Sequence, residues 1–435
     1  MADSADLAHL LRRTEFVARP ARIAELSALA LSDAVDNILD FTPNNNTQVP
    51  ANLQVQDDAN AFNQQVGAYN WWLDTMTTRP RPFQEKMTLF WHGHFVSEWD
   101  VVGRTDHMMS QNQLYRVNAL GNFVNLTQAM SLEPAMLLYL SNAVNYKTAP
   151  NQNFGRELME LFTLGVGNYT EDDVVAAAAA WTGYNYDTTT HAYEYRSSKH
   201  DSGLKTFFGK VQNWDGPGII NEILLDNPDK QLIAARLIAK KLWEFLAYPK
   251  PDVSIVNALG DIFIAAGMEL LPLVRALLNR PEFYTPEAKQ GLVRTPTEWA
   301  VALLAASGQT SSAVGLYYMS DQMGQTVFNP PNVAGWKNNS YWMTTSALSG
   351  RAAVAKKVAS LMRANNGYDN LYTLTPGDAV DYVATAFNIF PLAATTRQSL
   401  MDAFQAERAS TTSVSSKSVT NLLVMVMLSG ELNVG

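Results

Sequence analysis

Cysteine is absent from this 435-residue chain. Disulfides, thiolate nucleophiles, iron–sulfur clusters and cysteine-ligated zinc are thereby excluded. The same absence suits either side of a membrane and leaves the compartment open. Charge is scarce as well: 17 % of residues are charged, the net charge is −9, and no basic patch stands out. Nucleic acid is therefore not an expected partner. No window holds the roughly 18 apolar residues that cross a bilayer, and the alanine run ending at Trp181 is too short. The opening stretch to Arg13 lacks the basic start and apolar core of a secretory signal. A cytoplasmic location is expected unless a signal was removed. There is no Gly-x-Ser-x-Gly elbow, no Walker A sequence and no dinucleotide-binding glycine motif. Gly165-Val-Gly167 reads as a helix stop.

What the chain has in quantity is apolar surface. Hydrophobic residues make up 47 %, with 10 Trp, 17 Tyr and 18 Phe, enough for a large buried core. The spacing of these residues predicts a mainly α fold. Residues 20–40 carry Ile23, Leu26, Val35, Ile38 and Leu39 at helical spacing after Pro20, and residues 61–78 centre on Trp71 and Trp72. Residues 42–60 read as a polar loop; 231–247, 253–267 and 269–279 read as helices. Thr295-Pro-Thr-Glu298 is the best helix start, with an N-cap, a first-turn proline and a reciprocal capping glutamate; Gly308 ends that helix. Thr170-Glu-Asp-Asp173 is a second start, its acidic residues lying where the helix dipole is positive. One region departs from helical spacing. Tyr184 and Tyr186, then Tyr193 and Tyr195, alternate across the polar turn Thr188–His191 and predict a β-hairpin within 184–210. The expected organisation is a main helical domain over 1–363 containing that hairpin, with a C-terminal helical subdomain over 376–435 packed on it.

Four groups of residues could carry chemistry. His92 and His94 flank Gly93. On a continuous helix they point about 200° apart; a break at Gly93 would let both imidazoles converge on a metal. Glu157 and Glu160 are helical neighbours on the apolar segment Leu158–Leu164, where a carboxylate needs a partner or a raised pKa. Arg156, Lys86 and the histidines are candidate partners. A raised pKa suits acid–base work, and a buried ion-pair network is the structural alternative. His200 and Asp201, followed by Lys205, form either a metal- or substrate-binding edge or a turn made by Asp-Ser-Gly. Trp336, Tyr341 and Trp342, after Asn329-Pro-Pro-Asn332, make an aromatic, amide-rich loop able to stack on sugars or hold a peptide, or else a loop pinned in a core groove. A di-metal carboxylate bundle would need Glu-x-x-His, which does not occur.

Several phrases spread over nearly the whole chain resemble one family, the bacterial DUF1800 proteins. They are His9-Leu-Leu-Arg-Arg13, Glu85-Lys-Met-Thr-Leu-Phe-Trp-His-Gly-His-Phe95, Arg156-Glu-Leu-Met-Glu-Leu-Phe-Thr-Leu-Gly165 and Trp181-Thr-Gly-Tyr184. His200-Asp201 with Lys205, Pro330-Pro-Asn-Val-Ala-Gly-Trp336 and Trp342 complete the set. The resemblance implies a large helical bacterial protein, a periplasmic or extracellular site, and a DUF1501 sulfatase-like companion as partner. It supplies no reaction, cofactor or catalytic residue.

Two functions follow from the residues. In one, His92, His94 and Glu157 hold a divalent metal, and Glu157 or Glu160, with His200, Asp201 and Lys205 at the rim, serves a metal-assisted hydrolase or other metalloenzyme. In the other, these side chains are structural, and the aromatic loop of a non-catalytic scaffold or binding module engages a partner protein or glycan.

Overall fold

The computed structural model describes every residue except Met1, 45–47, Gln290, Gly367, 390–391 and 410–415. The chain is mainly α-helical, as the apolar spacing predicts. The helices that matter for function are α1 (Ser4–Thr14), α2 (Ala61–Thr78), α3 (Phe83–His94), α4 (Thr105–Val117) and α5 (Asn153–Glu157), which continues as a π-helical turn over Leu158–Thr163. They are followed by α6 (Glu171–Ala180), α7 (Pro228–Leu246) and α8 (Pro296–Ser307), then by α9 (Pro376–Ala386), α10 (Ala394–Ala409) and α11 (Ser416–Met427). Among the described residues no helix is long and apolar enough to cross a membrane.

Local signals act as anticipated at both capping boxes. Thr295 accepts from the Glu298 amide while Glu298 reaches back to the Thr295 amide, and Gly308 closes α8 at φ +66°. Thr170 and Asp173 make the same reciprocal pair at the start of α6. The hairpin forms with β1 (Tyr184–Tyr186) antiparallel to β2 (Tyr193–Tyr195), in the register Tyr184 to Tyr195. A second hairpin, β3 (Lys205–Phe207) with β4 (Lys210–Gln212), follows it. The helix predicted over 20–40 is two helices, Pro20–Ser27 and Leu31–Leu39. Ala30 is extended between them, and Leu29 is held by the Ala2 amide donating to its carbonyl at 3.1 Å. That long-range contact overrides a local helical preference.

Two hydrophobic cores result. One gathers α1, α3, the π turn, α6 and α7 around Trp91, Phe95, Phe162, Trp181 and Trp243. The other joins α2 and α8 to α9, α10 and α11 around Trp72, Trp299, Leu423 and Met427. Trp299 Nε1 donates to Met427 O at 3.2 Å, across 128 positions, so the C-terminal helices share a core with α8. Truncating a fully buried aromatic such as Trp91 costs about 3–5 kcal/mol. Helix α3 runs along the boundary of the two cores, with Trp91 in the first and Leu89 in the second.

Candidate functional site

Helix α3 supplies polar side chains to several surroundings, and each is held by a partner distant in sequence. Glu85 is fully buried. It accepts from Trp72 Nε1 at 2.9 Å, from Arg116 Nε at 2.7 Å and Nη2 at 3.0 Å, and pairs with Arg79 at 3.1 Å. Three hydrogen bonds and one ion pair make this a structural network. Lys86, one residue on, pairs with Glu298 of the α8 capping box. Burial pushes the Glu298 carboxyl up, but the Lys86 ammonium, the Thr295 amide and Arg294 together hold it low. Lys86 was a candidate partner for Glu157 and Glu160; its partner is Glu298.

The helix does not break at Gly93, so the two histidines diverge. His92 Nε2 accepts from the Phe328 amide at 2.9 Å, and its ring packs among Trp72, Phe328 and Trp336. An accepting Nε2 is unprotonated, and burial holds the imidazole neutral with a pKa of about 3. His94 lies against the first core. Its Nε2 donates to Phe162 O at 3.1 Å and its Nδ1 accepts from Lys241 Nζ at 3.2 Å. Burial, then the Lys241 charge, pushes its pKa well below the usual histidine value.

Lys241 comes from α7 and had no sequence signal. Its Nζ also donates to Leu161 O at 2.8 Å. The carbonyls of Leu161 and Phe162 belong to the end of the π turn, where the chain reverses at Gly165 with φ +80°. Helix-end carbonyls lack intrahelical acceptor partners, and Lys241 and His94 take one each. Burial lowers the Lys241 amine to about 8, against an opposing contribution from Glu244. An ammonium has three donors; two are engaged, and Lys241 also lines a cavity.

That cavity, about 200 Å³, lies between α3, α7 and the loop of residues 325–342. Its walls include His94, Lys241, Glu244, Gln325, Trp336 and Trp342. The loop is clamped on α3. Gly335 has φ +74°, and a Cβ there would sit 2.7 Å from Gly93 O, so only glycine allows the approach. Trp99 N donates to Phe328 O at 2.8 Å on the same side. A smaller chamber of about 30 Å³ adjoins the cavity, sharing Glu244, Phe245, Thr295 and Asn338. Arg12, Arg13, Lys86, Arg294 and Glu298 line it. The segments 9–13, 85–95 and 330–342, far apart in sequence, thus line two adjoining spaces.

The remaining candidates lie elsewhere. Glu157, half-buried, has its pKa raised by burial and then by the Glu160 charge, against Arg156. Glu160 accepts from Tyr169 OH. Arg156 forks onto exposed Glu171, at 2.8 and 2.9 Å, rather than onto either glutamate. His200 Nδ1 meets Thr182 O at 2.9 Å; Asp201 caps the Gly203 amide at 2.8 Å; Lys205 Nζ donates to the carbonyls of Asp201 (2.6 Å) and Gly203 (2.9 Å). Asp201 and Lys205 close a turn that His200 and the Asp201 amide tie to Thr182, and Asp201 and Lys205 edge a separate open groove of about 1040 Å³. Trp336 and Trp342 border the cleft, while Tyr341 is half exposed.

The structure does not bring His92, His94 and Glu157 onto one centre, and among the described residues no three His, Asp or Glu side chains group closely enough to hold a metal ion. The cleft offers a lysine, a neutral imidazole, guanidinium groups and the carboxylates of Glu244 and Glu298, a set that suits proton transfer.

A family model described as "Protein of unknown function (DUF1800)" matches residues 9–433. No curated protein and no solved structure matches the chain.

Proposed function

This chain belongs to the DUF1800 family, and we propose that it binds a small ligand in the cleft between α3, α7 and the 325–342 loop, with Lys241 as its acid–base group. The observation that carries this reading is the contact of Lys241 Nζ with His94 Nδ1 at the cleft wall. An amine with a pKa of about 8 exchanges a proton near neutrality, and once deprotonated it is a nucleophile toward carbonyl carbon. His94 fixes the lysine and does not itself titrate near neutrality. Trp336 and Trp342 give the ligand an aromatic wall, with Gln325 and Asn338 as amide contacts. Metal-assisted hydrolysis at His92, His94 and Glu157 draws less support, because His92 Nε2 and both His94 nitrogens are engaged with protein atoms.

Amine-selective acylation tests the proposal. With a trace of acetic anhydride at pH 8, Lys241 is expected to acetylate faster than exposed Lys210 and Lys240. Slower labelling of Lys241 than of both surface lysines would contradict the assignment.

A second reading, a non-catalytic module for a partner protein or glycan, draws on half-exposed Tyr341 stacked edge-on to Trp342. The DUF1501 sulfatase-like companion implied by the resemblance would be its partner. Loss of co-purification in a Tyr341→Ala variant is the corresponding check.

A further inference from the structure

Both hydrogen-bond partners of Lys241 Nζ are acceptors. Leu161 O, at 2.8 Å, can only accept. His94 Nδ1, at 3.2 Å, accepts because the imidazole proton sits on Nε2 and is donated to Phe162 O. Among the described residues no group donates to the lysine nitrogen. A neutral amine has two hydrogens and one lone pair. The two acceptors hold both hydrogens, so the lone pair takes the remaining direction of the tetrahedral nitrogen, and no protein donor quenches it. The side chain lines the cavity of about 200 Å³, and burial brings the neutral amine within reach of ordinary pH.

Such a nitrogen is an oriented nucleophile as well as a proton carrier. The fate of the product selects its electrophile. Attack on an acyl carbon would leave the lysine as an amide, which does not release it again. Attack on an aldehyde or ketone gives an imine, which water reverses. Phe90, Phe245 and Trp336 supply apolar wall for a small molecule of this class, and Gln325 and Asn338 supply amides for its polar atoms. Glu244 lies one helical turn beyond Lys241 on α7 and lines the same cavity. Its contact with Lys240 is long, at 4.0 Å.

We infer that Lys241 forms an imine with an aldehyde or ketone bound in the cleft, and that Glu244 carries the protons of that step. The inference rests on the reading of the cleft as a ligand site and names the class of ligand. The lysine lone pair forms the N–C bond as the carbonyl π pair moves onto oxygen. The two nitrogen hydrogens pass as protons, through the Glu244 carboxylate, to that oxygen. It departs with them as water while the C=N bond closes. No oxidant or reductant takes part, and hydrolysis returns the free amine.

Propanal and acetone are the probes. The full chain is incubated with either at pH 8, and timed samples are quenched with sodium borohydride, which reduces an imine to a stable secondary amine. Peptide mass spectrometry then locates the alkylated lysines. Lys241 should reach its plateau about tenfold faster than half-exposed Lys210 and Lys240. Glu244→Gln, with the fold checked by circular dichroism, should slow Lys241 about tenfold and leave Lys210 unchanged. The wild-type comparison needs no variant, and an imine at Lys241 that forms no faster than at both surface lysines would overturn the inference. An unchanged rate in folded Glu244→Gln would overturn the role of Glu244. Fast acetylation of Lys241 without fast imine formation would overturn the imine and leave the acid–base reading standing, whereas slow reaction in both assays would overturn both.

Discussion

Lys241 Nζ sits 3.2 Å from His94 Nδ1, joining α7 to the last turn of α3 across 147 positions of sequence. The contact fixes the chemistry of both partners. Because the ammonium donates to Nδ1, the imidazole carries its proton on Nε2, where Phe162 O receives it. The lysine charge disfavours a second imidazole proton, and shared burial weakens the ammonium in turn. The pair is therefore a neutral imidazole holding an amine close to its titration point, on the wall of the cleft.

Acid should unfold the protein steeply. Burial depresses His9 to about 2, His92 to about 3 and His107 to about 4, and lowers His94 well below its ordinary 6.5. A histidine depressed on folding contributes stability above pH 6.5 that is lost as pH falls, because the unfolded chain binds the proton first. Glu133, raised by burial to about 7, works in the opposite sense in part of that window. A net uptake of roughly two to three protons on unfolding near pH 5.5 is expected, which lowers stability by about 3–4 kcal/mol per pH unit. Urea unfolding from pH 7 to 5 measures it; a flat profile would contradict this account of the histidines.

Glu298→Gln should destabilise by about 3–5 kcal/mol, since it leaves buried Lys86 unpaired. Lys86→Met combined with Glu298→Gln should recover much of that loss. Melting of both singles and the double gives the coupling, and additive losses would mean that the pair is not one unit.

Gly335→Ala should cost more than Gly167→Ala. Both glycines have positive φ, at +74° and +84°, but a Cβ at 335 meets Gly93 O at 2.7 Å, whereas at 167 it meets nothing within 4 Å. The Gly167 change is expected to cost about 1 kcal/mol of backbone strain. The Gly335 change adds a clash that lifts the loop from α3, raising the loss to about 2–3 kcal/mol. Equal melting temperatures for the two variants would refute the clamp.

Much of the fold was legible because its signals are local. The capping residues Thr295 with Glu298 and Thr170 with Asp173, and the alternating tyrosines of β1 and β2, are set by neighbours within a few positions. The two-residue spacing of His92 and His94 already required divergence on an unbroken helix; the open matter was Gly93, and α3 continues through it. The partners were not legible. Lys86 to Glu298 spans 212 positions and Lys241 to His94 spans 147. Nothing local distinguishes Lys241 from its neighbour Lys240, which points to solvent and is half exposed. Arg156 seemed the natural partner of the glutamates, but α5 presents it to Glu171. Trp336 and Trp342 of the aromatic loop border the cavity, while Arg13 and Arg294 gave no sign of facing one chamber, being 281 positions apart.

The most direct test is the titration of Lys241 itself. Lysines labelled with ¹³C at Cε and ¹⁵N at Nζ, with the resonance assigned through its loss in Lys241→Met, should show one amine with a midpoint near pH 8. Wild type should also gain on the order of 2 kcal/mol of stability relative to Lys241→Met between pH 8 and 10, because there the unfolded chain holds a proton that the folded lysine has released. A Lys241 midpoint at 10 or above, with no such gain, would contradict the account of the cleft as an acid–base site.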